Sequence, residues 1–215
     1  MNNYDLIYND KELNNIIDSI NKINENNLLA CHGRYHTTFV INSIEKLLTR
    51  LNFDRETIEL GKIAGLLHDI GTIEGKKGHA HRSSEMCVHF LDKIKLSQES
   101  KDIIIHAIKD HSNGNEINSP VGAALLLADK IDISKNRVLE LGKQDRWHNN
   151  LLNIEETILT VKDKNIIINY IVNDKFSREI LSEEWRKGIT IPIKASNYFG
   201  CNCIFQLNGN IVDLT

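Results

Sequence analysis

Apolar residues along the first two thirds of the chain recur at helical spacing. Leu13, Ile16, Ile17, Ile20 and Ile23 keep a period of about 3.6 and predict a helix over residues 10–28. Val40, Ile44, Leu47, Leu48 and Leu51 predict the next, over 36–51. Asn52-Phe53-Asp54 reads as a connection, with Asp54 as an N-cap. The helix that follows, over 55–70, becomes almost wholly apolar at Ala64-Gly65-Leu66-Leu67, as a buried central helix does. Residues 71–79 carry Gly71, Gly75 and Gly78 and read as a loop. Helices are then predicted over 80–95, over 98–111 after a Ser97 cap, and over 120–133, where Ser119-Pro120 places proline in the first turn. A short helix or turn is expected over 134–142.

After residues 144–148 the period changes. Residues 154–161 and 166–172 are rich in β-formers, and Lys162-Asp163-Lys164-Asn165 between them is a hairpin signal. A helix is predicted over 174–187, and a second hairpin over 202–207 and 211–214 around Asn208-Gly209. The reading is a mainly α fold: a helical bundle over 1–148 and a small α+β appendage over 149–215. The appendage is expected to serve packing, a lid or dimerisation rather than chemistry.

Composition narrows the class. The chain has 215 residues, 41% hydrophobic and 26% charged, which is ordinary for a globular protein able to bury a core without staples. A formal net charge of -3 gives no reason to expect a stable nucleic-acid partner, so a phosphate ligand would need local cations. Cys31, Cys87, Cys201 and Cys203 form no disulfide framework, and Cys201-Asn202-Cys203 lacks the second pair a metal knuckle needs. The N-terminus has no secretory pattern, and no apolar run approaches membrane-spanning length, so a cytoplasmic protein with reduced thiols is expected.

Polar residues break the apolar helices at three places. His68 and Asp69 adjoin at the end of the central helix, His36 opens the helix before it, and Asp129 interrupts Leu125-Leu126-Leu127-Ala128. A buried carboxylate without a partner is costly, so Asp129 needs a metal or a cation, Lys130 and Arg137 being the cations at hand. Imidazole nitrogen and carboxylate oxygen suit Zn, Fe, Mn, Co or Ni rather than a thiolate-seeking metal. Neighbouring helical residues point about 100° apart, so His68 and Asp69 reach one ion only at a helix end, which Gly71 is expected to supply. Gly71 to Gly78 is not a phosphate-binding P-loop, because the Gly-Lys-Ser/Thr order is missing.

The set His36 … His68-Asp69 … Asp129 resembles the H…HD…D pattern of the HD-domain superfamily of metal-dependent phosphohydrolases, over roughly residues 30–140. It is most similar to the subgroup with two further histidines. The resemblance places these at His79, six residues before Glu85, and at His111, with His81 and His106 as the competing positions. His36 is preferred over His32 because Thr37, Thr38 and Val40 continue the family-like pattern. The resemblance implies one or two divalent ions per chain (Fe, Mn, Zn, Co, Ni or Mg) on His36, His68, Asp69, His79, His111 and Asp129. Asp69 would bridge two ions, and Asp69 and His68 would be the catalytic pair.

The implied reaction is hydrolysis of a phosphate ester or anhydride of a small molecule, a nucleotide or dinucleotide, by a metal-activated water. Arg34, Arg82 and Lys130 are the expected phosphate-binding cations, Arg34 first, with Lys76 and Lys77 also near. Arg137 and Asp132 are expected to reach a sugar or base, and His89 and His148 to be ordinary. Two alternatives stay open: a di-iron centre that activates oxygen, and a metal-binding regulatory module without catalysis. Homo-oligomerisation stays open too.

Overall fold

The structure, a computed structural model, describes residues 2–23, 26–114 and 116–214. The helices begin where the sequence offers caps. Asp54 Oδ1 accepts from the Thr57 N–H at 2.7 Å, Ser97 Oγ from Ser100 at 3.1 Å, and Ser119 Oγ from Gly122 at 3.1 Å with Pro120 as the first helical residue. These caps open α4 (Arg55–Leu67), α6 (Gln98–Asp110) and α7 (Pro120–Ile131). Before them lie α1 (Asn3–Tyr8), α2 (Lys11–Ile23) and α3 (Arg34–Arg50), and α5 spans His79–Leu91. The helix expected to reach residue 28 is seen to Ile23; residues 24 and 25 lie outside the described residues, and 26–28 are not helical. Helix α1 was not predicted; at six residues it is too short to show a period.

Two glycines set how closely α3 and α4 pack. A Cβ on Gly61 would sit 2.7 Å from Ile44 Cγ2, and one on Gly65 2.9 Å from Ile44 Cδ1. This antiparallel hairpin therefore brings the start of α3, with His36, beside the end of α4, with His68. Helix α7 is buried over most of its length and packs against α3, α4 and α6.

Beyond it, α8 (Arg146–Leu151) leads into a four-stranded sheet, giving the mainly α fold with a C-terminal α+β part. Strands β1 (Ile154–Lys162) and β2 (Asn165–Val172) form the first predicted hairpin. Its turn residues Asp163 and Lys164 both have positive φ, the backbone that matches strand twist. Strands β3 (Asn202–Leu207) and β4 (Asn210–Val212) form the second, through Asn208 and Gly209, also at positive φ. The sequence does not show that the hairpins join: β2 pairs parallel with β3, from Asn165↔Asn202 to Tyr170↔Leu207. A parallel pair needs a crossover, which α9 (Arg178–Glu184) and α10 (Arg186–Tyr198) supply.

The single helix expected over 174–187 is thus two helices broken at Trp185, and α10 runs eleven residues past that expected end, from 187 to 198. Pro192 sits inside α10, buried, and has no N–H to give the Gly188 carbonyl. Helix α10 packs on α7, and one apolar cluster runs from Ile7 to Leu214 without interruption at residues 145–152. No helix among the described residues is long and apolar enough to cross a membrane.

Candidate metal centre

His68 caps the C-terminus of α4, and Asp69 stands just outside it. The chain does not end α4 on a left-handed Gly71, as expected, but passes into a 3-10 helix over Ile70–Glu74. Gly71 is needed for another reason. A Cβ there would lie 2.5 Å from Ser83 N and 2.6 Å from His79 O, so only glycine admits the first turn of α5. Gly71 N donates to Ser83 Oγ at 2.9 Å, locking the contact that carries His79 inward.

The six predicted residues form one cluster with Asp69 at its middle. On the Oδ1 side stand His79 Nε2 at 3.1 Å and His111 Nε2 at 3.5 Å; on the Oδ2 side stand His68 Nε2 at 3.4 Å and His36 Nε2 at 3.5 Å. Asp129 Oδ1 lies 3.1 Å from His36 Nε2. His81 and His106 are exposed, His81 beside Glu85 on its own helix.

The second ring nitrogens decide what this cluster can be. His68 Nδ1 faces the Gly65 carbonyl at 2.8 Å, His79 Nδ1 the Lys76 carbonyl at 2.9 Å, and His111 Nδ1 the Ile108 carbonyl at 2.6 Å. His36 Nδ1 faces Asp132 Oδ2 at 2.7 Å. Carbonyl and carboxylate oxygens only accept, so each Nδ1 carries the hydrogen and each neutral ring presents a bare Nε2 lone pair inward. These nitrogens sit 3.1 Å apart in the His36–His68 pair and 3.0 Å apart in the His79–His111 pair. With the four rings neutral, their inward lone pairs and the two carboxylates repel one another. A cation relieves that repulsion, and the donor set fits a divalent metal.

The charge balance agrees. Burial pushes the Asp69 carboxyl up, but His68 and His32 beside it hold it well below the usual carboxylate range. Burial opposes and Lys130 lowers Asp129 in the same way. Burial takes His111 down to about 4, so it is neutral and free to ligate near pH 7. At His68 burial opposes the proton while the Asp69 and Asp129 carboxylates outweigh it, so the site draws in positive charge.

Sequence reasoning set His32 aside. The structure puts its Nδ1 2.7 Å from Asp69 Oδ2 and its Nε2 3.0 Å from Lys76 Nζ, buried with the cluster. An antiparallel bridge between Ala30 and Val138 holds this segment, and Asn21 Oδ1 accepts from the His32 and Gly33 backbone. The four-residue spacing of His32 and His36 was the available signal, but His32 precedes α3, so helical geometry could not carry it.

The expected phosphate cations divide. Arg34 is not brought to the cluster: its Nε bonds Asp18 Oδ1 at 2.8 Å, on α2. Arg82 bonds the carbonyls of Gly71, Lys77 and Gly75, and so staples the glycine loop. Lys130 does reach the site, paired with Asp129. Asp132 and Arg137, expected at a sugar or base, stand behind His36, with Arg137 Nη1 3.3 Å from Asp132 Oδ2. A cavity of about 140 Å³ opens beside the cluster, and both residues border it together with His32, Lys76, Asp129 and Lys130.

The comparison with known protein families matches the HD domain over residues 33–164. The chain belongs to the HD domain family. The match takes in the ligand cluster and extends through β1, past the boundary expected near residue 148. HD domains are generally metal-dependent hydrolases of phosphorylated small molecules, and the His/Asp cluster here is compatible with the HD metal site. No curated protein compared with this HD domain protein matches it.

Proposed function

We propose that the protein is a metal-dependent phosphohydrolase cleaving a phosphate ester or anhydride of a small molecule, with a nucleotide as the substrate class. The observation that carries this reading is the convergence of four bare Nε2 atoms and two ionised carboxylates on a buried point beside an open cavity. His36, His68, Asp69 and Asp129 would hold one ion, and His79, His111 and Asp69 a second. A divalent ion in such a site supplies positive charge and a bound water of lowered pKa.

The chain's own residues do the rest. Each Nδ1–H bond fixes a ring's tautomer and direction, so the donor set is arranged before any ligand arrives. Asp132 does this for His36, and Arg137 holds Asp132. Lys76 donates to His32 Nε2, and His32 keeps a proton at Nδ1 against Asp69 Oδ2. Lys76 and Lys130 line the cavity and can neutralise phosphoryl oxygens, which is most of what phosphoryl transfer asks of a protein.

The test is metal analysis of chelator-free protein, followed by a screen of phosphomonoesters, phosphodiesters and nucleoside polyphosphates with each metal added back. Phosphate release that needs a divalent metal and vanishes in Asp69→Ala is expected. Metal-loaded, folded protein inert on every class would overturn the reading.

A further inference from the structure

The lining of the cavity beside the cluster is of two chemical kinds. Lys76, Lys130 and Arg137 line it with Asp129 and Asp132, three cations against two carboxylates. Ile133, Leu151, Trp147 and Trp185 add apolar and aromatic surface. These are the chain's two tryptophans, and they stack on each other with centroids 5.1 Å apart and planes 17° from parallel. Trp147 lies on α8, and Trp185 comes from the C-terminal part, at the break between α9 and α10. The indole of Trp185 rests on Gly188: a Cβ there would fall 1.5 Å from Nε1. One glycine therefore seats the outer ring of the pair.

A site for inorganic phosphate or a short aliphatic phosphate has no use for such a slab. We infer that the Trp147–Trp185 stack is the wall of a leaving-group subsite for a phosphate ester bearing a flat ring, and that the C-terminal part, through Trp185, sets this specificity. The inference rests on the hydrolase reading above and deepens it. His32 and Asp129 belong to both the cavity and the cluster, so a ligand in the cavity is in reach of the proposed metal. A cavity of about 140 Å³ is close to the ~150 Å³ that holds one benzene-sized ring. The ring could be a nucleobase or a simpler arene; the shared chemistry is a planar π-face against indole.

The experiment uses the full-length, metal-loaded protein and three esters with the same primary-alkyl leaving oxygen: a nucleoside 5′-monophosphate, 2-phenylethyl phosphate and ribose 5-phosphate. The ring-bearing esters should have KM values roughly tenfold or more below that of ribose 5-phosphate, within the range of base–aromatic stacking. Trp185→Leu should bring them up to the ribose 5-phosphate value without moving the latter, and Trp185→Phe should restore most of the difference. A gain for both ring-bearing esters fits any arene, and a gain for the nucleotide alone fits a nucleobase; either supports the wall.

Equal KM values for all three esters, or a Trp185→Leu effect shared by all three, would overturn the inference and leave the hydrolase reading intact. Binding is also read without turnover, because both tryptophans report from this cavity. Quenching of intrinsic fluorescence by 2-phenylethyl phosphate but not by inorganic phosphate is expected of the wild-type protein, whether or not a variant folds. Absence of ring-specific quenching would sink the wall. Quenching without hydrolysis in any arm would count against the hydrolase reading alone.

Discussion

His79 Nε2 and His111 Nε2 stand 3.0 Å apart, 32 residues apart in sequence, with each Nδ1–H already given to a backbone carbonyl. In their neutral forms neither ring can donate to the other. This pair marks the second half of the centre, across Asp69 from His36 and His68. Protein purified without chelator should carry more than one equivalent of transition metal, and His79→Ala should keep the equivalent on the His36 side. Elemental analysis decides it; a single equivalent unaffected by His79→Ala would remove the second ion.

Asp69 offers one oxygen to each side, so its loss cannot be repaired by raising the metal concentration. Asp69→Ala should lower kcat by roughly a hundredfold or more, at the scale of losing one charge-stabilising group. Steady-state kinetics across a metal titration would show it. Near-normal turnover on any phosphate compound the wild type cleaves would mean the active site lies elsewhere.

Asp132 acts on the metal only through His36. Asp132→Asn should weaken metal affinity by about 10–100-fold, as loss of an outer partner typically does, while leaving the far-ultraviolet dichroism unchanged. Competition with a chromophoric chelator measures the affinity. An unchanged value would show that His36 needs no orienting carboxylate.

Gly71→Ala tests the close approach of the 3-10 helix to α5. The added methyl meets backbone atoms, which cannot step aside as a flexible side chain could. A cost of about 1–3 kcal/mol is expected, or a fall of roughly 2–4 °C in Tm per kcal/mol for a chain of this size. Because the displaced turn carries His79, metal content should fall as well. Calorimetry that finds Tm unchanged would contradict the contact.

Burial pushes the Cys87 thiol up from 9.0 to about 12, and also raises the Tyr170 hydroxyl. Both folded-state values lie above the unfolded ones, so the unfolded chain loses protons first as pH rises. Their contribution is complete below about pH 9 and is lost as pH climbs toward 12. Urea midpoints should therefore fall over that window, less steeply in Cys87→Ala. Equal slopes in the two proteins would show that Cys87 ionises as freely folded as unfolded.

Truncation near residue 150 removes α10 from the face of α7, where Ile191 and Leu126 flank Gly114. The shortened chain should lose cooperative thermal unfolding. A sharp transition that retained metal binding would show that the helical part folds alone.

Helix periods, caps and turn dipeptides act over a few residues, and these were legible: α3 to α7, both hairpins, and the polar interruptions at His36, His68-Asp69 and Asp129. The alternatives at His79 against His81 and His111 against His106 were narrowed by resemblance, and the structure brings His79 and His111 inward. What the sequence could not decide lies between distant segments. Arg34 and Arg82 looked like phosphate cations because they are close in sequence to histidines, but Asp18 and the loop carbonyls take them up. Asp132 supports His36 and pairs with Arg137, a link between distant segments that their sequence positions do not show, while both border the cavity. The parallel β2–β3 pairing depends on the crossover through α9 and α10, and α10, with Pro192 inside it, packs against α7. The His32–Asp69 contact depends on a bridge between residues 30 and 138. Local signals fix where an element starts and which face is apolar; the direction of a long charged side chain is settled by whichever partner the folded chain brings within reach.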